Sequence, residues 1–267
     1  RSSEECVVIT SGDSVYKMDY RKVLEYHKEK NADITVVYQK MTGKDLSKFG
    51  ILQMDADNKL EGFEEKPEQP KSDAASLGIY VISRTLLINL LNQIIPEGRY
   101  SLVKDIIIRF IHTLKIYGYE YDGYWNAIGT GIAAYFETNM DFLKKDIRDY
   151  FFHQEPQIYS KAYDLPPAKY NAGSKVSNSL IASGCIINST VEDSVLFKKV
   201  FVGNNSVIKN SIIMNGAYIG DNVYIENCIV ESSETLLSGS KYVGEGQIRI
   251  VSEKKKRYEA HQANGEG

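Results

Sequence analysis

The sequence predicts two folds in one chain: an α/β domain with a mixed sheet over residues 1–149, and a parallel β-helix over residues 176–251. Three observations lead there. The first half alternates apolar strand-like runs with amphipathic helical ones. The second half repeats large aliphatic residues at a period near six, which suits neither a helix nor a flat strand. Between them, residues 150–175 carry Pro156, Pro166 and Pro167 and read as a linker.

Taken in order, Cys6–Thr10 is an almost unbroken apolar strand, of the kind buried in a parallel sheet. Asp19 is placed to cap a helix over Tyr20–Lys30, with Tyr20, Val23, Leu24 and His27 on one face. Ile34–Tyr38 is the next strand. Gly50–Met54 and Lys59–Glu65 form a hairpin around Asp55-Ala56-Asp57-Asn58. Leu77–Ile82 reads as a strand, Thr85–Ile95 and Asp105–His112 as helices, and Leu114–Tyr121 as a strand. Thr130 is expected to cap one long helix reaching Asp149. The chain opens on Arg1 and enters a strand almost at once, so a domain that starts in mid-sheet is expected to have lost an upstream part.

The β-helix rests on arithmetic. Leu196, Val202, Ile208, Ile213, Ile219, Ile225 and Val230 are separated by 6, 6, 5, 6, 6 and 5 residues, so each triplet sums to seventeen. Neighbours repeat with them: Asp193-Ser194-Val195-Leu196 returns as Asn210-Ser211-Ile212-Ile213 and as Asn227-Cys228-Ile229-Val230, and Asn178-Ser179-Leu180-Ile181 is a less regular copy. One aliphatic per face would point into a triangular bore, with Gly, Asn and Asp at corners that need left-handed backbone. Leu236, Leu237, Ile248, Ile250 and Val251 keep the apolar character beyond Val230 without being assigned places in the coil, and residues 252–267 read as a disordered tail.

Composition narrows the function. At 267 residues, 43% hydrophobic and 25% charged, the chain can hold a sizeable core, and a net charge of −3 gives no reason to expect nucleic acid or a membrane surface as partner. No apolar run reaches transmembrane length. Cys6, Cys185 and Cys228 lie too far apart for a metal site and read as free thiols of a cytoplasmic protein. Some β-helices transfer acyl groups with a histidine base, but His27, His112, His153 and His261 all lie outside the repeat, which favours an assembly or regulatory role.

Chemistry-bearing residues cluster after predicted strands, where α/β sheets bind ligands. Ser11-Gly12-Asp13 offers a close backbone approach and a carboxylate suited to Mg²⁺, or else is an ordinary turn. Glu64-Glu65-Lys66-Pro67 could hold a sugar phosphate by point charge and hydroxyls by carboxylate, or be a solvated cluster. Tyr124-Trp125 could wall a sugar pocket or sit in the core.

The stretches SGDSVYKMDY (11–20), FGI (49–51), FEEKP (63–67), ASLGIY (75–80), KDII (104–107), YWNAIGT (124–130) and PPAKY (166–170), in that order and followed by the repeat, resemble the bacterial glucose-1-phosphate adenylyltransferase family. The resemblance runs nearly to Val230 and implies a Rossmann-like (GT-A-like) nucleotidyltransferase domain joined to a left-handed β-helix. It implies an activity in glycogen biosynthesis, joining ATP and glucose 1-phosphate into ADP-glucose and pyrophosphate, and an oligomeric assembly. By the same resemblance Asp13 is the metal-binding carboxylate, with Mg²⁺ as the cofactor. Glu65 and Lys66 hold glucose 1-phosphate, Ser76, Tyr80 and Trp125 belong to the sugar pocket, and Gly50 makes a backbone contact.

The departures are as informative. Where the active family reads YWRDVGT, this chain has Asn126-Ala127, so the second metal carboxylate is Ala127. Ser101 and Ser14 replace a pocket Asp and a His, and the glycine-rich pyrophosphate loop is not in this sequence. The pattern resembles the family's second, regulatory subunit type. This implies a catalytically impaired protein that partners a catalytic subunit, binds Mg²⁺ weakly or not at all, and takes glucose 1-phosphate or ADP-glucose. The alternative is an active adenylyltransferase with an atypical metal site.

Overall fold

A computed structural model describes residues 3–43 and 45–252. By internal contacts the chain divides into two compact units, Arg1–Asn126 and Ala127–Gly267.

The first unit is built on strands β1 (Cys6–Thr10), β2 (Ser14–Tyr16), β3 (Ile34–Lys40), β4 (Gly50–Met54), β5 (Leu60–Glu65), β6 (Ala74–Ser83), β7 (Ile116–Glu120) and β8 (Trp125–Ala127). The main sheet runs β5-β4-β6-β3-β7, with β1 on the far half of β6, and β2 pairs separately with β8. Only β3–β7 is parallel in the main sheet, so it is mixed as expected. Ile34, Val36 and Tyr38 of β3 share a core with α2 (Arg84–Ile94) and with Ile106, Ile107 and Ile111. The opposite face meets α1 (Tyr20–Glu29), whose His27 Nδ1 lies 2.8 Å from Thr35 Oγ1. Covered on both faces, β3 is buried from Ile34 to Tyr38. Asp19 caps α1 by accepting from the Arg21 N–H at 3.0 Å, and Val23 and His27 form its buried side.

Two readings of this unit are corrected. Strand β1 is antiparallel to β6 and only half-buried; it pairs with no second strand among the described residues, and one neighbour cannot bury it fully. The segment expected as a helix over Asp105–His112 is a π-helix over Leu102–Ile108, started by Ser101, whose hydroxyl accepts from the Lys104 N–H at 3.1 Å.

The second unit opens with α3 (Ile132–Asp141) and α4 (Lys145–Phe152). They replace the single helix expected from Thr130 to Asp149. The backbone at Lys144 is extended (φ −78°, ψ 132°), which breaks the helix, and the Thr130 hydroxyl turns back to the Ala127 carbonyl instead of capping. Phe136 of α3 packs with Val195, Ile212 and Ile229 of the coils, so the helix groups with the repeat.

Three five-stranded parallel sheets form the β-helix. All seven aliphatics of the sequence ladder point inward and are at most 1% exposed, together with Ile187, Val191 and Leu236. The pairing offset is seventeen through the regular coils, as in Phe201 with Tyr218 and Ile212 with Ile229. It shortens to fifteen at the irregular copy, where Leu180 meets Val195, and lengthens to twenty-one at the last coil, where Ile229 meets Ile250. That longer coil is why Ile250 and Val251 were not placed. Corners stack in columns of left-handed residues: Asn178, Asp193, Asn210 and Asn227 in one, Gly184, Lys199, Gly216 and Ser233 in another, Asn205, Asn222 and Gly239 in a third. Asn tolerates this backbone best after Gly and adds a ladder bond, Asn210 Nδ2 to Asn227 Oδ1 at 2.6 Å.

The coils begin earlier than the expected 176. Lys169–Tyr170 already pairs with Ile186–Ile187, and α4 occupies residues 145–152, so the expected linker 150–175 is pared from both ends. Of the tail 252–267, all but Ser252 lies outside the described residues.

Candidate functional site

Beyond β1, the Ser11 N–H donates to the Gly78 carbonyl at 3.1 Å, and the Ser11 hydroxyl donates to the Asp13 carboxylate. This tethers the exposed Asp13 turn to the middle of β6. Gly78 has φ +69°, and a Cβ there would lie 3.3 Å from the Ser11 Cβ, so glycine answers both the left-handed backbone and the close approach.

Gly50 and Glu65 are direct partners across the β4–β5 hairpin. A Cβ on Gly50 would come within 2.4 Å of the buried Phe63 ring and 3.4 Å of Glu65 Oε2, so the missing side chain leaves room for both. Lys66 has φ +50°, uncommon for a residue with a Cβ and more so before a proline, and its N–H is held by the Phe49 carbonyl at 3.0 Å. The exposed Glu65 and Lys66 therefore leave the strand end in a fixed, strained turn.

Ser76 and Tyr80 both lie on β6 and are 8% and 7% exposed. Burial pushes the Tyr80 phenol above its ordinary pKa. A hydrogen bond from Ser76 opposes this, and the Glu65 carboxylate adds to it. Trp125 on β8 is 6% exposed and meets Phe49, the neighbour of Gly50, edge to face at 5.7 Å.

The fold thus joins Gly50 to Glu65 across the hairpin, places Ser76 and Tyr80 on one strand, and sets Trp125 against Phe49, with Lys66 at the turn that adjoins Glu65. Asp13 stands at the next strand end, and strand β2, which follows it, pairs with the Trp125 strand. Sequence reasoning missed two members of this region. Tyr121 is buried and its hydroxyl meets the Lys17 carbonyl at 2.8 Å and the Tyr124 carbonyl at 3.2 Å, and Lys17 itself is only 5% exposed. Lys17 lies within the KMDY stretch, but nothing in one sequence ties it to a tyrosine 104 positions on.

The donors do not make a Mg²⁺ cage. Ala127 ends β8 with no side-chain oxygen to offer, Ser101 is spent on its helix cap, and no group of three His, Cys, Asp or Glu suited to a metal occurs among the described residues. An ion at Asp13 would depend on ligand phosphates and water.

Residues 1–145 match the family model described as nucleotidyl transferase. The chain belongs to the nucleotidyl transferase family. Residues 166–258 match a second model, the GlmU-like C-terminal hexapeptide, in keeping with a β-helix of the left-handed hexapeptide type. Curated relatives include three glucose-1-phosphate adenylyltransferases. That of Clostridium botulinum (strain Eklund 17B) is 43% identical over 77% of this chain and 54% of its own length. That of Thermosipho africanus is 40% identical over 74% and 48%, and that of Bacillus subtilis 38% over 75% and 53%. The chain spans about half the length of the curated relatives it matches. No helix among the described residues is long and apolar enough to cross a membrane.

Proposed function

We propose that this nucleotidyl transferase family member is a regulatory, catalytically impaired subunit of a cytoplasmic glucose-1-phosphate adenylyltransferase, of the glycogen biosynthesis GlgD type. In this reading the sugar-phosphate face is kept. Lys66 holds the phosphate of glucose 1-phosphate or ADP-glucose, Glu65, Ser76 and Tyr80 take sugar hydroxyls, Gly50 gives backbone access, and Trp125 walls the pocket. What is lost is charge neutralisation. Phosphoryl-group chemistry needs little acid–base help and depends on positioning and on Mg²⁺ held by carboxylates. The observation that carries the proposal is Ala127, which leaves Asp13 as the one carboxylate at the matched metal positions. A partner subunit with an intact site would then supply turnover, and the β-helix would contribute to subunit contacts and control.

The test is ADP-glucose formation by the full-length protein, alone and with a catalytic subunit. Little turnover alone and altered turnover of the partner are expected. Strong turnover alone would sink the regulatory reading and favour an active enzyme with an atypical metal site. Ala127→Asp is expected to restore activity only in part, because Ser14 and Ser101 remain.

A further inference from the structure

A cavity of about 450 Å³ lies at the end of the main sheet remote from Asp13. Cys6, which lines it, starts β1, and Asp13 follows the far end of that strand. At about 3.3 Å per residue, the strand alone keeps its two ends about 13 Å apart. The cavity has the size of a small-molecule site.

Several chain junctions meet there. Cys6 pairs with Ser83, the last residue of β6, and α2 begins at the next residue, Arg84. His27 and Lys28 come from the end of α1, and Asn31 from the turn that leads to β3. The Glu5 carbonyl accepts from the Arg84 N–H and the Glu4 carbonyl from Arg84 Nε, each at 2.8 Å, so the start of α2 is tied to the entry of β1.

The lining holds groups that the chain itself leaves unanswered. His27 is 5% exposed, its Nδ1 meets Thr35 Oγ1 at 2.8 Å, and its ring makes no other hydrogen bond among the described residues. With Nδ1 turned to β3, Nε2 is the ring atom left to meet what enters the cavity, and buried polar groups are rarely left without a partner. Lys28 and Arg84 form no ion pair among the described residues, and Glu5 is the one carboxylate in the lining. Ser83 stands at the N-cap of α2, an eleven-residue helix, and its side chain makes no capping bond. The first N–H groups of that helix and the positive end of its dipole favour an anion. The end of α1 does not cancel this, because its last carbonyls are closed: those of Tyr26, Lys28 and His27 accept from the N–H groups of Lys30, Asn31 and Ala32 at 2.9, 3.0 and 3.0 Å.

We infer that this cavity is a binding site for a phosphoryl group, carried by inorganic phosphate or by a small phosphate ester. Lys28 and Arg84 supply charge, the start of α2 supplies N–H groups, and His27 Nε2 makes a hydrogen bond to one oxygen. The site is separate from the sugar-phosphate face and does not depend on that reading.

Cys6 reports on occupancy from within the lining. Its alkylation by a neutral reagent is timed in the full-length protein, by mass spectrometry of the peptide that contains it, during titrations with inorganic phosphate, ribose 5-phosphate and sodium chloride of matched ionic strength. At least one of the two phosphates is expected to slow labelling saturably, about tenfold at ten times the midpoint concentration, where about one site in eleven stays open. Stronger protection by ribose 5-phosphate assigns an ester, and equal or stronger protection by inorganic phosphate assigns the free ion; either supports the inference. Lys28→Gln removes an exposed cation and should raise the midpoint about three- to tenfold. His27→Asn keeps a polar atom near the Nδ1 position, removes Nε2, and should raise it about tenfold. Labelling that neither phosphate slows more than chloride does overturns the inference, as does a midpoint that Lys28→Gln leaves unchanged.

Discussion

Ile213 is fully buried in the bore, between Leu196 below and Val230 above. Changing it to Ala removes three carbons, each worth about 0.8 kcal/mol on burial, or roughly 2.4 kcal/mol in all. A rigid prism closes poorly over the space left, so a cavity cost of roughly 1–2 kcal/mol adds to this, for a loss of about 3–4 kcal/mol. Tyr218 is the control. It sits on the adjacent rung but points outward, 48% exposed, stacked on Phe201 at 4.8 Å and 7°. Tyr218→Ala should therefore cost only about 0.5–1.5 kcal/mol. The assay is urea unfolding followed by far-ultraviolet circular dichroism, with Trp125 fluorescence reporting separately on the α/β unit. A Tyr218→Ala loss as large as that of Ile213→Ala would refute the assignment of inward and outward faces and, with it, the bore as the main source of stability.

Three further outcomes follow from other parts of the chain. Gly220→Ala should destabilise the β-helix by about 2–4 kcal/mol, because its Cβ would lie 2.8 Å from the Ser238 backbone nitrogen and 2.9 Å from the Leu236 carbonyl oxygen, neither of which can swing aside; unchanged urea denaturation would contradict this. The Asp19 carboxylate is held down at about 2 by its hydrogen bonds from Arg21. With the folded value below the unfolded one, the support it gives α1 is present above about pH 4 and lost as pH falls towards 2, which amide exchange across Tyr20–Glu29 should follow. Burial raises the thiols of Cys185 and Cys228, and they are sealed in the coils, so a thiol reagent should label only the half-exposed Cys6 in the native protein, at a slow rate because burial raises its pKa too; native labelling of the other two would count against the packing described.

The repeat was readable because its physics is local: one residue in six must fill the bore, and each coil restates the rule. The hairpin, α1 and its Asp19 cap were readable for the same reason. What escaped was set by distant packing. Phe142-Leu143-Lys144 has nothing in its composition to stop a helix, so the break between α3 and α4 could not be foreseen. The apolar face of α3 would have suited any apolar surface, and only the outward Val195, Ile212 and Ile229 decide which. Strand β1 looked fit for a two-sided burial that it does not have. At the site, the order of motifs pointed to Asp13, Glu65, Lys66 and Trp125, but the link from Tyr121 to Lys17 exists only once the chain is folded.

The three outer faces of the prism differ. One is apolar and covered by α3, one carries the Phe201–Tyr218 stack, and one bears a ladder in which Lys209 lies 3.1 Å from Glu192. Insertions and deletions in the regular coils are therefore quantised. Removing a whole coil of seventeen residues would return every later side chain to its own face, so the protein could shorten by a full storey. Removing a single rung of six would turn everything above it by a third of a revolution and slide lysines and glutamates beneath a helix that needs isoleucines. The length of this module can thus be tuned in evolution or by design only in full turns.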